Sequence, residues 1–148
     1  MLVSLFRLLS TFPLPVLHFL GAALGWLVYL LSPSYRRRLR GNLEGAGFGS
    51  HLRQAIAESG KAIVELPFVW CAKPERVAAH ATEENWDYVQ SVLDSGRGIV
   101  FLTPHLGCFE ITAQQIALRT PLPGMYRPPK KAALKPLIEG ARARHTLH

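Results

Sequence analysis

The stretch Gly98-Ile99-Val100-Phe101-Leu102-Thr103-Pro104-His105-Leu106-Gly107-Cys108-Phe109-Glu110 decides the expected fold. Ile99 to Thr103 is a largely apolar run with β-branched members, the pattern of a strand buried on both faces. Pro104 cannot donate to a ladder and ends the strand, and Gly107 permits a tight bend. Phe109 to Leu118 then reads as a helix. A strand that runs into a loop bearing a His and a Glu presents both at its carboxyl end, where open α/β sheets bind ligands.

Upstream, Ser95-Gly96-Arg97-Gly98 is a turn. Thr82 caps a helix expected from Glu83 to Asp94, with Trp86, Val89 and Leu93 as its apolar stripe. Downstream, Pro121 to Gly124 is a turn, and Met125-Tyr126-Arg127 belongs to a second short strand. Ala132 to Arg144 is helical, with Pro136 in its first turn. Helix, strand, helix, strand, helix is an α/β order. Two strands do not make a stable parallel sheet, so the chain reads as the opening part of a larger, apparently truncated α/β domain.

The first third differs in character. Met1 to Leu31 holds one formally charged side chain, Arg7, and Phe12 to Leu31 is almost wholly apolar apart from His18. Its length approaches the roughly 20 residues a bilayer-crossing helix needs. A signal peptide or a buried core helix competes with a retained anchor. The run ends in Tyr29-Leu30-Leu31-Ser32-Pro33, which is not an Ala-x-Ala-like cleavage site. Tyr35-Arg36-Arg37-Arg38-Leu39-Arg40 follows at once, and cations beside an apolar span hold that side in the cytoplasm near anionic headgroups. Residues 1–31 are therefore expected to be a hydrophobic membrane anchor and residues 32–148 the partial domain.

Between them, Ser34 caps a basic helix ending near Gly45 or Gly47. A second helical pattern after Ser50 carries Leu52, Ala55, Ile56, Ile63 and Leu66 on one face. Gly60 weakens it and Pro67 kinks or ends it. Leu66 to Cys71 is strongly apolar and suits either a core or the membrane interface.

The chain has 148 residues and a net charge of +7. No nucleic-acid module accompanies that charge, and its densest cluster adjoins the anchor, so lipid and an acidic protein are the expected partners and nucleic acid is not. Cys71 and Cys108 stay reduced in a cytosolic domain. His145 and His148 form an H-x-x-H pair, too few ligands for zinc, and Gly96-Arg97-Gly98 lacks the third glycine of a phosphate-cradling loop. Neither metal nor cofactor is expected. His51 and His80 read as surface or cap residues, and His18 as facing a bundle or an interface.

His105 and Glu110 carry the chemistry. On one regular helix they would stand roughly 140° apart, so they meet only if His105 lies in the loop before the helix. A neighbouring carboxylate then fixes the imidazole tautomer and stabilises the imidazolium formed in proton transfer. Free N–H groups at the helix start suit an oxyanion. The same spacing also fits ordinary capping contacts.

This segment resembles the H-x-x-x-x-[DE] motif of the lipid A late acyltransferases, the lauroyl/myristoyl transferase family. The resemblance extends to the apolar N-terminus, Arg36 to Arg40 followed by Asn42-Leu43, Trp86 before the Gly-x-Gly turn, and Tyr126-Arg127-Pro128-Pro129-Lys130. Cys108-Phe109 departs from it, since Asn-Trp is common there. The resemblance implies transfer of a fatty acyl group from an acyl carrier protein thioester to a hydroxyl of a lipid A precursor. His105 would be the general base and Glu110 its orienting carboxylate. Arg127 and Arg144 would bind substrate, Arg127 at the developing oxyanion or a lipid A phosphate. The implied location is the cell inner membrane, with the catalytic part on the cytoplasmic side. The alternative is a catalytically inactive, truncated remnant that binds membrane or carrier protein.

Overall fold

A computed structural model describes residues 2–104, 106–123 and 134–142. Its elements are α1 (Leu2–Leu9), α2 (Leu14–Leu31), α3 (Pro33–Gly45), a 3₁₀ turn (Gly49–His51), α4 (Leu52–Val64), α5 (Leu66–Cys71), α6 (Pro74–Ala78), α7 (Trp86–Asp94), α8 (Phe109–Arg119) and α9 (Lys135–Arg142). Among the described residues all regular structure is helical, which overturns the α/β expectation.

The reason lies in residues 99–104. A strand exists through the ladder it shares with a neighbour, and no described segment pairs with this one. The stretch has no regular structure, although it keeps a strand's alternation. Ile99 and Phe101 are half-buried, while Val100 and Leu102 are 86% and 90% exposed. The apolar composition is that of a buried strand, but nothing described covers its second face. The second expected strand, at 125–127, lies outside the described residues.

Local signals account for the helix boundaries. Pro13 is extended and Pro15 occupies the first turn of α2, where a missing N–H costs nothing. Ser32 closes α2 with its N–H on the Val28 carbonyl. Its hydroxyl also accepts the Tyr35 N–H at 3.3 Å and caps α3, two residues before the expected Ser34. Pro67 divides α4 from α5, as its fixed φ and absent donor dictate. The helix expected from Glu83 starts only at Trp86, after Asn85 in the left-handed region at φ 59°.

α2 and α4 form the principal helix pair. The buried residues of α2 are Leu17, Gly21, Gly25 and Tyr29, a single stripe at intervals of four. Gly21 and Gly25 meet Gly60 of α4 backbone to backbone. A Cβ on Gly60 would lie 2.8 Å from the Gly25 Cα, and one on Gly21 would lie 2.7 Å from the Lys61 Cα. Large apolar side chains on the rest of α2, including Phe19, Leu20, Leu27 and Leu30, remain exposed. By length and composition α2 is able to cross a membrane, with mean hydropathy 1.9 over 18 residues.

Short α5 is the hub of the remaining core, so Leu66 to Cys71 is core. Phe68 packs with Leu17, Ala72 and Val77, joined by Leu9, Leu14, Val64 and Ile111. Val69 and Trp70 face Phe6, Cys108 and Ile138, from α1, the start of α8 and α9. Arg76 ties down the link between α1 and α2 by donating to the Ser10 carbonyl at 2.9 Å and the Phe12 carbonyl at 3.3 Å.

The glycine crossing gives a direct test. Gly60→Val pushes backbone against backbone and should destabilise the chain by about 2 kcal/mol or more. Gly41→Ala, in α3 with open space around it, should be neutral or stabilising by up to about 1 kcal/mol. Denaturant unfolding in detergent, followed by circular dichroism, compares the two.

Candidate active site

The described part of the expected site centres on Glu110. It lies in the first turn of α8 and is 8% exposed. The positive end of the helix dipole suits a carboxylate there. Trp70 of α5 donates its indole N–H to Glu110 Oε2 at 3.3 Å. The indole in turn stacks on Phe6 of α1, with ring centroids 5.9 Å apart. One turn along α8, Gln114 donates to the Val69 carbonyl at 3.1 Å. Together these contacts clamp the start of α8 onto α5 and hold the carboxylate in one orientation.

The approach to α8 bends as expected. Gly107 has φ +56°, a backbone setting that disfavours any side chain. Cys108 then turns its side chain inward against Val69 and Trp70. Its thiol is pushed up from 9.0 to about 12, first by burial, then by the charge of Glu65 and a hydrogen bond donated to Glu65, with a smaller contribution from Glu110. The Cys108 S–H is thus a neutral donor between two carboxylates.

Glu65, at the junction of α4 and α5, also accepts a hydrogen bond from His18 Nε2 at 3.1 Å. His18 therefore serves the packing of α2 against the body. Both cysteines are free thiols. At the other end of α8, Arg119 pairs with Glu83 at 2.7 Å and lies over the Trp86 ring at 4.9 Å. That contact gives Trp86 a structural role, fastening α7 to α8.

Of the four expected site residues, Glu110 is placed as described, and His105, Arg127 and Arg144 lie outside the described residues. Sequence reasoning missed Trp70 and Glu65 as neighbours of the motif. Glu65 carried one legible signal, a lone acid immediately before the apolar run Leu66 to Cys71.

The family profile described as "Bacterial lipid A biosynthesis acyltransferase" matches residues 1–148. The chain belongs to this family. A curated "Lipid A biosynthesis acyltransferase" of Haemophilus influenzae is 29% identical over 135 residues, an alignment covering 85% of this chain and 43% of the relative. The chain thus spans less than half the length of that acyltransferase. No solved structure matches it.

Two measurements check the surroundings of Glu110. With Cys71→Ser to leave one thiol, Cys108 should react with iodoacetamide at pH 8 at least about a hundredfold more slowly than a free cysteine peptide, because the thiolate is scarce. Trp70→Phe keeps the stacking partner of Phe6 but removes a donor to Glu110, and should cost about 1–3 kcal/mol in denaturant unfolding.

Proposed function

We propose that this chain is the membrane-held front portion of an acyltransferase that moves a fatty acyl group from an acyl carrier protein thioester to a hydroxyl of a lipid A precursor. Residues 1–31 supply the membrane anchor and residues 32–148 part of the catalytic domain. His105 takes the proton of the acceptor hydroxyl as its oxygen attacks the thioester carbonyl carbon. The new C–O ester bond forms, the C–S bond breaks, and the proton passes from the imidazolium to the departing carrier thiolate. Glu110 orients His105 and stabilises its cationic form. Arg127 and Arg144 take the substrate's anionic groups, since guanidinium matches phosphate geometry. The work is done at the cytoplasmic face of the inner membrane.

The observation that carries this reading is the buried Glu110 at the N-terminus of α8, held by Trp70, in a chain matched along its whole length by the acyltransferase family. A base and its carboxylate need such rigid support. The exposure of Val100 and Leu102 favours a second reading, in which the chain is a catalytically inactive, truncated remnant that binds membrane or carrier protein.

The test is transfer of label from acyl carrier protein thioester to a lipid A precursor. Glu110→Gln, nearly isosteric, should lower the rate about 10²–10⁴-fold with the fold intact, and His105→Ala should do the same. Transfer that survives both substitutions refutes the acid–base assignment. Absence of transfer by the unaltered chain, with membrane binding retained, selects the second reading.

A further inference from the structure

We infer that α2 lies in the plane of the membrane interface, as a monotopic seat, with its whole length flanked by the protein body on one side and by lipid on the other. The inference rests on the membrane reading above and specifies how that contact is made.

The body accompanies α2 from end to end. At its N-terminal end, Leu17 is fully buried in the cluster with Phe68, Ala72 and Val77, and His18 donates to Glu65 at 3.1 Å. In the middle, Gly21 and Gly25 abut Gly60. Toward the C-terminus Tyr29 is buried, and the Arg36 guanidinium of α3 lies 6.0 Å from its ring centre. A helix that crossed the bilayer would carry α4 with it into the hydrocarbon. α4 bears Arg53 and Glu58, both exposed, and Lys61, which pairs with Glu58 at 2.7 Å. Charged side chains facing lipid at that depth are strongly disfavoured. Both ends of α2 are also bound to one body, which cannot stand on two sides of a membrane.

The opposite face of α2 fits an interface. Val16, Phe19, Trp26, Leu27 and Leu30 project away from the glycine stripe and are exposed, Phe19 by 74%. α1 adds exposed Leu5 and Leu8. Arg37, Arg38 and Arg40 of α3, next along the chain, are exposed as well. An apolar helix face beside a cluster of cations matches the acyl boundary and anionic headgroups of a phospholipid leaflet. The seat also has a consequence for the site. Ile111 of α8 packs in the Leu17 cluster, so the start of α8 stands at the N-terminal end of α2, within reach of a glycolipid acceptor still held in the leaflet.

Side-specific thiol labelling tests the seat on the full chain with Cys71→Ser and Cys108→Ser. Cysteines are placed one at a time at Ser4 and Ser34, both exposed, before and after α2. Intact spheroplasts and inverted inner-membrane vesicles from expressing cells are treated with a membrane-impermeant maleimide. In-plane seating predicts that both positions label in inverted vesicles and neither in spheroplasts. Labelling of the two positions from opposite sides overturns it, as does recovery of the chain in the soluble fraction. Leu27→Lys should lower partitioning onto phosphatidylethanolamine–phosphatidylglycerol vesicles about tenfold or more with the circular dichroism unchanged, and unchanged partitioning also counts against the seat. Labelling does not depend on turnover. Same-side labelling without acyl transfer leaves the seat standing and removes only the catalytic reading.

Discussion

The backbone contact of Gly60 with Gly21 and Gly25 is the constraint on which the other placements depend. Where side chains separate two helices, a repacked rotamer absorbs small errors in distance. Here no side chain intervenes, and close approach is available only to residues without a Cβ. That contact fixes α2 against α4, and the rest follows along the two helices. His18 comes to Glu65 where α4 gives way to α5, and Leu17 enters the cluster that also holds Ile111 of α8. The start of α8 is therefore located by an apolar helix whose sequence number is lower by about a hundred, through one glycine crossing and the short hub α5.

Around that hub, the energetics of a buried acid govern the local design. A carboxylate withdrawn from water is costly unless hydrogen bonds and favourable dipoles replace the lost solvation. Glu110 receives the Trp70 N–H and the field of the α8 N-terminus. Trp70 is itself immobilised by Phe6. Cys108 enters as a neutral thiol, and its S–H donates to Glu65 without adding charge between two acids.

What was legible in the sequence was what local physics decides. The apolar run of α2, the proline that separates α4 from α5, the bend at Gly107 and the helix beginning at Phe109 all depend on neighbours within a few residues. The strand at 99–103 was not of that kind. Its composition is apolar on both faces, but a strand needs a partner, and partnership is a non-local property that composition does not contain. The partners of Trp70 and Glu65 are not legible for a related reason, since their hydrogen bonds to Glu110 and His18 span 40 and 47 residues. Gly60 by itself only weakens a helix. Its use becomes apparent only when the opposing stripe of Gly21 and Gly25 is brought against it.

The exposed face of residues 99–104 and the buried Glu110 are linked by more than adjacency in the chain. Val100 and Leu102 face solvent immediately before the turn that delivers the motif to α8. Any segment that pairs with this stretch would remove water from the approach to the helix N-terminus. Electrostatic interactions strengthen as water leaves, so the field of the Glu110 carboxylate would rise with the same event. The carboxylate and its clamp are already fixed by α1, α5 and α8. The local dielectric is not, because it depends on a cover for Val100 and Leu102. Positioning and desolvation, two contributions usually supplied together in an active site, are here assigned to different parts of the fold.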